Sequence, residues 1–125
     1  MRILIVDDEV DVQMLFRQRF RKEIKKGELD LQFALSGQEA IDALNEMEEK
    51  ADLILSDINM PGMSGLELLE YLKQRYAVPP PVVMMISAYG DQSNMNSAKS
   101  LGADDFFTKP LDFKLLKEKL KTLTN

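Results

Sequence analysis

The stretch Leu53-Ile54-Leu55-Ser56-Asp57-Ile58-Asn59-Met60-Pro61-Gly62 is an apolar run that stops at an aspartate, with Pro-Gly close behind. An unbroken apolar run of this length suits a strand covered on both faces. Pro-Gly is turn chemistry. The stretch reads as a buried strand that carries the carboxylate of Asp57 to one edge of a sheet.

The pattern recurs on either side. Arg2 to Val6 is apolar and rich in β-formers, and Asp7-Asp8-Glu9 ends it. Leu29 to Ala34, Ala51 to Ser56, Val82 to Ile86 and Asp105 to Thr108 supply the other strands, the last two ending at Ser87 and at Lys109-Pro110. Between them the apolar period lengthens to that of a helix. One helix is expected from Val10 to Ile24, with Met14 and Leu15 on its apolar stripe, Phe16 and Phe20 four apart, and Gly27 as its stop. Ser36-Gly37-Gln38-Glu39 and Ser64-Gly65-Leu66-Glu67 read as capping boxes. The first opens a helix with Ala40, Ile41, Leu44 and Met47 on one face; the second opens one through Leu68, Leu69 and Leu72. Pro79-Pro80-Pro81 reads as a stiff extended connector. Asp91 caps a shorter helix ending near Leu101-Gly102. Asp112 caps a last helix whose buried side is expected to be Leu115, Leu116, Leu120 and Leu123. Strand and helix alternate five times, which predicts an α/β fold: a five-stranded parallel sheet with helices on both faces.

Composition narrows the chemistry. The chain has 125 residues and suits one domain, spanning residues 1–125. It has no cysteine and no histidine, which excludes disulfides, thiolate metal sites, an internal phosphohistidine and the commonest general base. Any metal must be held by oxygen. A net charge of −5 disfavours direct nucleic-acid binding. No apolar run approaches the roughly 20 residues that cross a bilayer, and a cytoplasmic location is expected. The basic cluster Arg17, Arg19, Arg21, Lys22, Lys25 and Lys26 reads first as the solvated side of the first helix, with partner docking as the alternative.

Sites in open parallel sheets form at the carboxyl ends of the strands. There the first strand places Asp7 and Asp8, the third Asp57, the fourth Ser87 and the fifth Lys109. Three clustered carboxylates call for a counter-charge, and Mg²⁺ suits oxygen ligands of this kind. A metal and a lysine together neutralise a phosphoryl group in transfer, and Ser87 can donate a hydrogen bond to it. With no histidine, cysteine or serine triad, Asp57 is the obvious nucleophile.

In the Asp7-Asp8 pair, Asp57 followed by Met60-Pro61-Gly62 and Gly65, Ser87-Ala88, and Lys109-Pro110, the chain resembles a response-regulator receiver domain of the chemotaxis-regulator type. The resemblance covers the whole chain. It implies a flavodoxin-like (βα)5 fold with strand order 2-1-3-4-5. It implies phosphorylation of Asp57 by a histidine kinase, a histidine phosphotransfer protein or a small phosphodonor. Mg²⁺ would be held by Asp8, Asp57 and the backbone carbonyl of Asn59, with Asp7 acting through water. Lys109 would pair with the phosphoryl group and Ser87 would move to bond it. The small Ala88 would leave the donor room to approach. Phe106 would be the switch ring, working through burial because it lacks a tyrosine's hydroxyl. The output surface would be the fourth helix, fifth strand and fifth helix, read by a downstream partner, a fused effector domain or a phosphorylation-dependent homodimer. Asn59 and Tyr89 occupy positions that tune phosphoryl lifetime in the family. The Lys109-Pro110 bond would be cis.

Each motif has a plainer reading alone. Asp7-Asp8-Glu9 could cap the first helix, Ser87 could be an idle hydroxyl, and Lys109 an ordinary surface lysine. Two other functions fit these residues less well. A phosphate-independent pseudo-receiver usually lacks an acid or the lysine, and this chain keeps them all. A Mg²⁺-dependent aspartyl-phosphate phosphatase places an Asp-x-Asp motif after its first strand, whereas Asp57 follows the third and position 59 is Asn. The expectation is a signalling module rather than an enzyme, acting alone or as the receiver portion of a longer protein.

Overall fold

The computed structural model describes residues 1–48, 50–88 and 90–123. Five strands, β1 (Arg2–Val6), β2 (Asp30–Ala34), β3 (Leu53–Asp57), β4 (Val82–Ser87) and β5 (Asp105–Thr108), form one sheet in the order β2-β1-β3-β4-β5. Every pairing is parallel. The helices are α1 (Asp11–Arg19), α2 (Arg21–Lys25), α3 (Gly37–Glu46), α4 (Gly65–Arg75), α5 (Gln92–Ser100) and α6 (Phe113–Leu123).

Side chains alternate across a strand, and here both sides are covered. Leu4, Val6, Ile54, Val83 and Met85 pack with Ala40 of α3, Leu68, Leu69 and Leu72 of α4, and Ala98 of α5. Ile3, Ile5, Leu53, Leu55, Met84, Ile86 and Phe107 pack on the other side with Phe16, Phe20, Leu116 and Leu120. This explains why the strands read as unbroken apolar runs, and all five residues of β3 are buried. Fully burying one such aliphatic side chain contributes about 1.5–3 kcal/mol.

The caps locate the helix starts. Glu39 N–H donates to Ser36 Oγ (3.1 Å). Ser64 and Glu67 form a complete capping box. Asn94 N–H donates to Asp91 Oδ1 (3.3 Å) and Leu115 N–H to Asp112 Oδ1 (3.1 Å).

Three expectations need correction. The single first helix is two helices, broken at Phe20, where φ is −107° and ψ 19°. The buried Phe20 ring stacks on Phe16 and meets Phe113 edge-on, each at a centroid distance of 6.0 Å. The core therefore takes the aromatic pair, and Met14 is left 67 % exposed and Leu15 40 %. On α6 likewise, Leu116 and Leu120 are buried while Leu115 and Leu123 are exposed. The proline connector has cis bonds at Pro79–Pro80 and Pro80–Pro81 in place of an extended polyproline II segment. Among the described residues no helix is long and apolar enough to cross a membrane.

Candidate functional site

The register Val6↔Ser56, Asp57↔Ile86, Ser87↔Thr108 aligns the carboxyl ends of β1, β3, β4 and β5 along one edge. Because the strands are parallel, residues far apart in sequence leave the sheet together. Asp7 and Asp8 follow β1, Asp57 ends β3, Ser87 ends β4, and Lys109 follows β5. Asp7, Asp8 and Asp57 each offer a carboxylate oxygen, and these oxygens lie within 4.8 Å of one another. Asp7 and Asp57 are buried and Asp8 is exposed.

Lys109 reaches into this group. Its Nζ donates to Asp57 Oδ2 at 2.6 Å, and its backbone N–H donates to Ser87 O at 2.9 Å, anchoring the segment beside β4. The Lys109–Pro110 bond is cis. Asp57 is 2 % exposed, so its charge has little water to screen it and depends on these donors. Its Oδ1 accepts from Asn59 N–H at 3.2 Å. Asp7 Oδ1 accepts from Glu9 N–H at 2.9 Å.

The electrostatics follow from this crowding. Burial is the main cause that raises the Asp7 carboxyl above its ordinary range, and the Asp57 charge adds to it. The Glu9 N–H and the Lys109 ammonium oppose that shift without cancelling it. For Lys109, burial pulls downward, yet the hydrogen bond and charge of Asp57, with the charges of Asp7 and Glu9, raise the ammonium overall. The cluster thus holds more negative charge than Lys109 alone offsets. Its ligand atoms are all carboxylate oxygens, a donor set that suits a hard divalent cation.

Ser87 is an independent sign of a ligand at this edge. Its Oγ is buried and has no hydrogen-bond partner among the described residues. A buried hydroxyl left unpaired costs about 1–3 kcal/mol, a cost that a hydrogen-bond acceptor reaching this edge would remove.

The other candidates sit around this centre. Asn59 is exposed and reaches Asp57 through its backbone N–H. Ala88 is exposed beside Ser87. Phe106 pairs in register with Met85, two residues before Ser87. It is half-buried against the α3-α4-α5 core, and Lys99 Nζ lies 5.7 Å from its ring centroid. Phe107 is the plain core residue of the pair, buried on the opposite side. Tyr89 lies outside the described residues.

Gly65 has a role that its place in the motif did not disclose. A Cβ there would stand 2.1 Å from the carbonyl oxygen of Asp57. The first turn of α4 is seated directly on the backbone of the central aspartate, and Gly65 N–H donates to Ile58 O at 2.8 Å. The capping box marks Gly65 as the first residue of a helix, but no local pattern reveals what lies against it.

Known proteins resemble this chain in sequence and in fold. The family model described as Response regulator receiver domain matches residues 3–121. Response regulator protein PilR of Pseudomonas aeruginosa is 40% identical over 123 residues, covering 97% of this chain and 25% of PilR. The chain thus spans about a quarter of the length of that relative. Sporulation initiation phosphotransferase F of Bacillus subtilis is 34% identical over 121 residues, covering 96% of this chain and 90% of that protein. Among solved structures, the receiver domain of NtrX from Brucella abortus matches with a TM-score of 0.80 and 31% identity, covering 97% of this chain and 96% of that one.

Proposed function

The chain belongs to the response regulator receiver domain family, and on that premise we propose that it is a phosphorylation-controlled switch with Asp57 as its phospho-acceptor. The observation that carries this reading is the buried Asp57 carboxylate, held by Lys109 Nζ at 2.6 Å beside the unpartnered Ser87 Oγ. An oxygen of Asp57 attacks the phosphorus of a phosphohistidine on a kinase or phosphotransfer protein, or of a small donor such as acetyl phosphate. The new P–O bond forms as the donor's bond to phosphorus breaks: the P–N bond of phosphohistidine, its electron pair leaving on the imidazole, or the P–O bond of acetyl phosphate, its electron pair leaving on acetate. Lys109 then shares its positive charge with the phosphoryl oxygens, and Ser87 Oγ donates the hydrogen bond it lacks in the unmodified protein.

The donor set fits Mg²⁺: three carboxylates with oxygens within 4.8 Å of one another and no nitrogen or sulfur ligand. Asp8, Asp57 and the carbonyl of Asn59 would hold it, with Asp7 acting through water. When bound, the ion supplies the counter-charge for the carboxylates and the transferred phosphoryl oxygens. Movement of Ser87 toward the phosphoryl group frees space that the Phe106 ring fills, which alters the face formed by α5, β5 and α6. That face is the output surface, read by a downstream protein, a fused effector domain or a second phosphorylated copy. A phosphohistidine donor is a cytoplasmic partner, and the same compartment is inferred for this chain.

The test is direct. Incubation with Mg²⁺ and acetyl phosphate, followed by intact-mass spectrometry, should show one acid-labile phosphoryl adduct on the wild type and none on Asp57→Asn. No adduct on the wild type argues against the reading. An adduct that survives Asp57→Asn moves the acceptor elsewhere.

A further inference from the structure

We propose that the cavity between α2 and α6, at the amino ends of the strands, is a docking site for an acidic peptide segment with one large apolar anchor. The cavity measures about 560 Å³, within the range of roughly 300–1,000 Å³ that ligand pockets occupy. Met1, Phe20, Leu29 and Leu120 give it an apolar lining, and Glu23, Glu28, Lys117 and Lys121 are its charged residues. Lys117 Nζ is 3.2 Å from Glu23 Oε2 and 5.3 Å from the Phe20 ring centroid. The ion pair thus bridges α2 and α6 at the wall of the cavity.

Charge selects the occupant. Helices α1 and α2 with the capping Lys26, together with α6, hold ten of the chain's 16 Lys and Arg and three of its 21 Asp and Glu. That layer carries +7, so the remainder of a chain of net −5 carries −12. Arg21, Lys22, Lys25 and Lys26 are exposed on α2 and at its C-cap, and the same helix contributes Glu23 to the cavity. A strongly basic layer on an acidic protein attracts a negative partner, and the apolar cavity gives that partner a place to anchor. Nucleic acid would use the charge and leave the cavity idle. An anionic membrane would use the charge and exposed apolar side chains such as Met14 and Leu15 of α1 or Leu115 and Leu123 of α6, and it too would leave the cavity idle. The cavity lies at the opposite edge of the sheet from Asp57, so docking there does not require the phosphoryl group. This surface would hold a partner constitutively while the other edge switches.

The probe is a fluorescein-labelled synthetic peptide of glutamates around a central Phe-Leu pair, titrated into the 125-residue protein, with amide NMR shifts recorded in parallel. Saturable binding should move resonances of α2, Leu29 and α6. Combining Lys22→Glu with Lys25→Glu should weaken it about tenfold. Replacing Phe-Leu in the peptide by Gly-Ser should weaken it by about tenfold or more, because the anchor's burial is lost. Leu29→Trp, checked for folding by its circular-dichroism melt, should fill the cavity and reduce binding similarly. The proposal is overturned if the Gly-Ser peptide, duplex DNA or phosphatidylserine vesicles bind as tightly as the anchored peptide. It is also overturned if the shifts fall outside α2, Leu29 and α6, or if the peptide does not bind.

Discussion

Replacing Gly65 by alanine should injure the site without touching any of its polar groups. The added Cβ would stand 2.1 Å from Asp57 O, 2.6 Å from Ile58 Cα and 2.9 Å from the Asp57 carbonyl carbon. Non-bonded carbon contacts settle at about 3.5–4.0 Å, so the helix or the strand end must move by about 1 Å. All three atoms belong to backbone, and no flexible side chain can turn aside. Overpacking of this kind costs about 1–3 kcal/mol. Alanine's better helix propensity returns less than about 1 kcal/mol, so the clash wins and the variant should be less stable by about 1–2 kcal/mol. A displacement of about 1 Å in a reacting group can cost about 10²-fold in rate, and acetyl phosphate should modify Asp57 more slowly by up to that factor. Gly27→Ala is the control. Gly27 has a positive φ of 76°, and a Cβ added there would meet nothing within 4 Å. It should lose about 1–2 kcal/mol from backbone conformation alone and keep its rate. Urea denaturation measures the first quantity and a time course of intact mass the second. A Gly65→Ala protein as stable and as fast as the wild type would refute the close-approach argument.

Other perturbations separate charge from packing. Lys109→Met should destabilise the metal-free protein by about 3 kcal/mol, the low end for breaking a buried pair because Lys109 is partly exposed. Adding Asp57→Asn should recover most of that loss, a coupling that a double-mutant cycle in urea would measure. Asp7→Asn should raise the melting temperature in EDTA near neutral pH. Folding raises the Asp7 pKa, so its contribution to stability is fully present below its unfolded pKa and is lost as pH rises through the folded one. The advantage of Asn should therefore shrink in melts recorded at progressively lower pH. Mg²⁺ should raise the melting temperature of the wild type, and Asp8→Ala should weaken its binding, measured by titration, far more than Asn59→Ala does. Phe20→Ala should cost about 3–5 kcal/mol in urea denaturation, while Met14→Gln should cost less than about 0.5 kcal/mol.

Much of this molecule is local in origin. The apolar runs mark strands covered on both sides, and Ser64, Asp91 and Asp112 mark helix starts through bonds that reach only three residues. The lack of histidine and cysteine leaves carboxylate, hydroxyl and ammonium as the available chemistry. Where local reading failed, several local solutions were equally good. Met14 and Leu15 fit a helical stripe as well as Phe16 and Phe20 do, and only the position of Phe113 on α6 decides that the rings go inward. Leu115 and Leu123 lost their place on the buried side of α6 in the same way.

By itself, then, the sequence determined the strand-helix alternation, the residue types at the strand ends and the prominence of Asp57. Only the tertiary structure decided what those residues do to one another. Lys109 meets Asp57 across 52 positions of chain, Asp7 is raised by burial beside it, Ser87 Oγ finds no partner among the described residues, and Gly65 is pressed against the Asp57 carbonyl. The reason is range. Periodicity and capping are set by groups within one turn or one pleat, whereas distances at the sheet edge are set by parallel register between strands and by the packing of two separate cores.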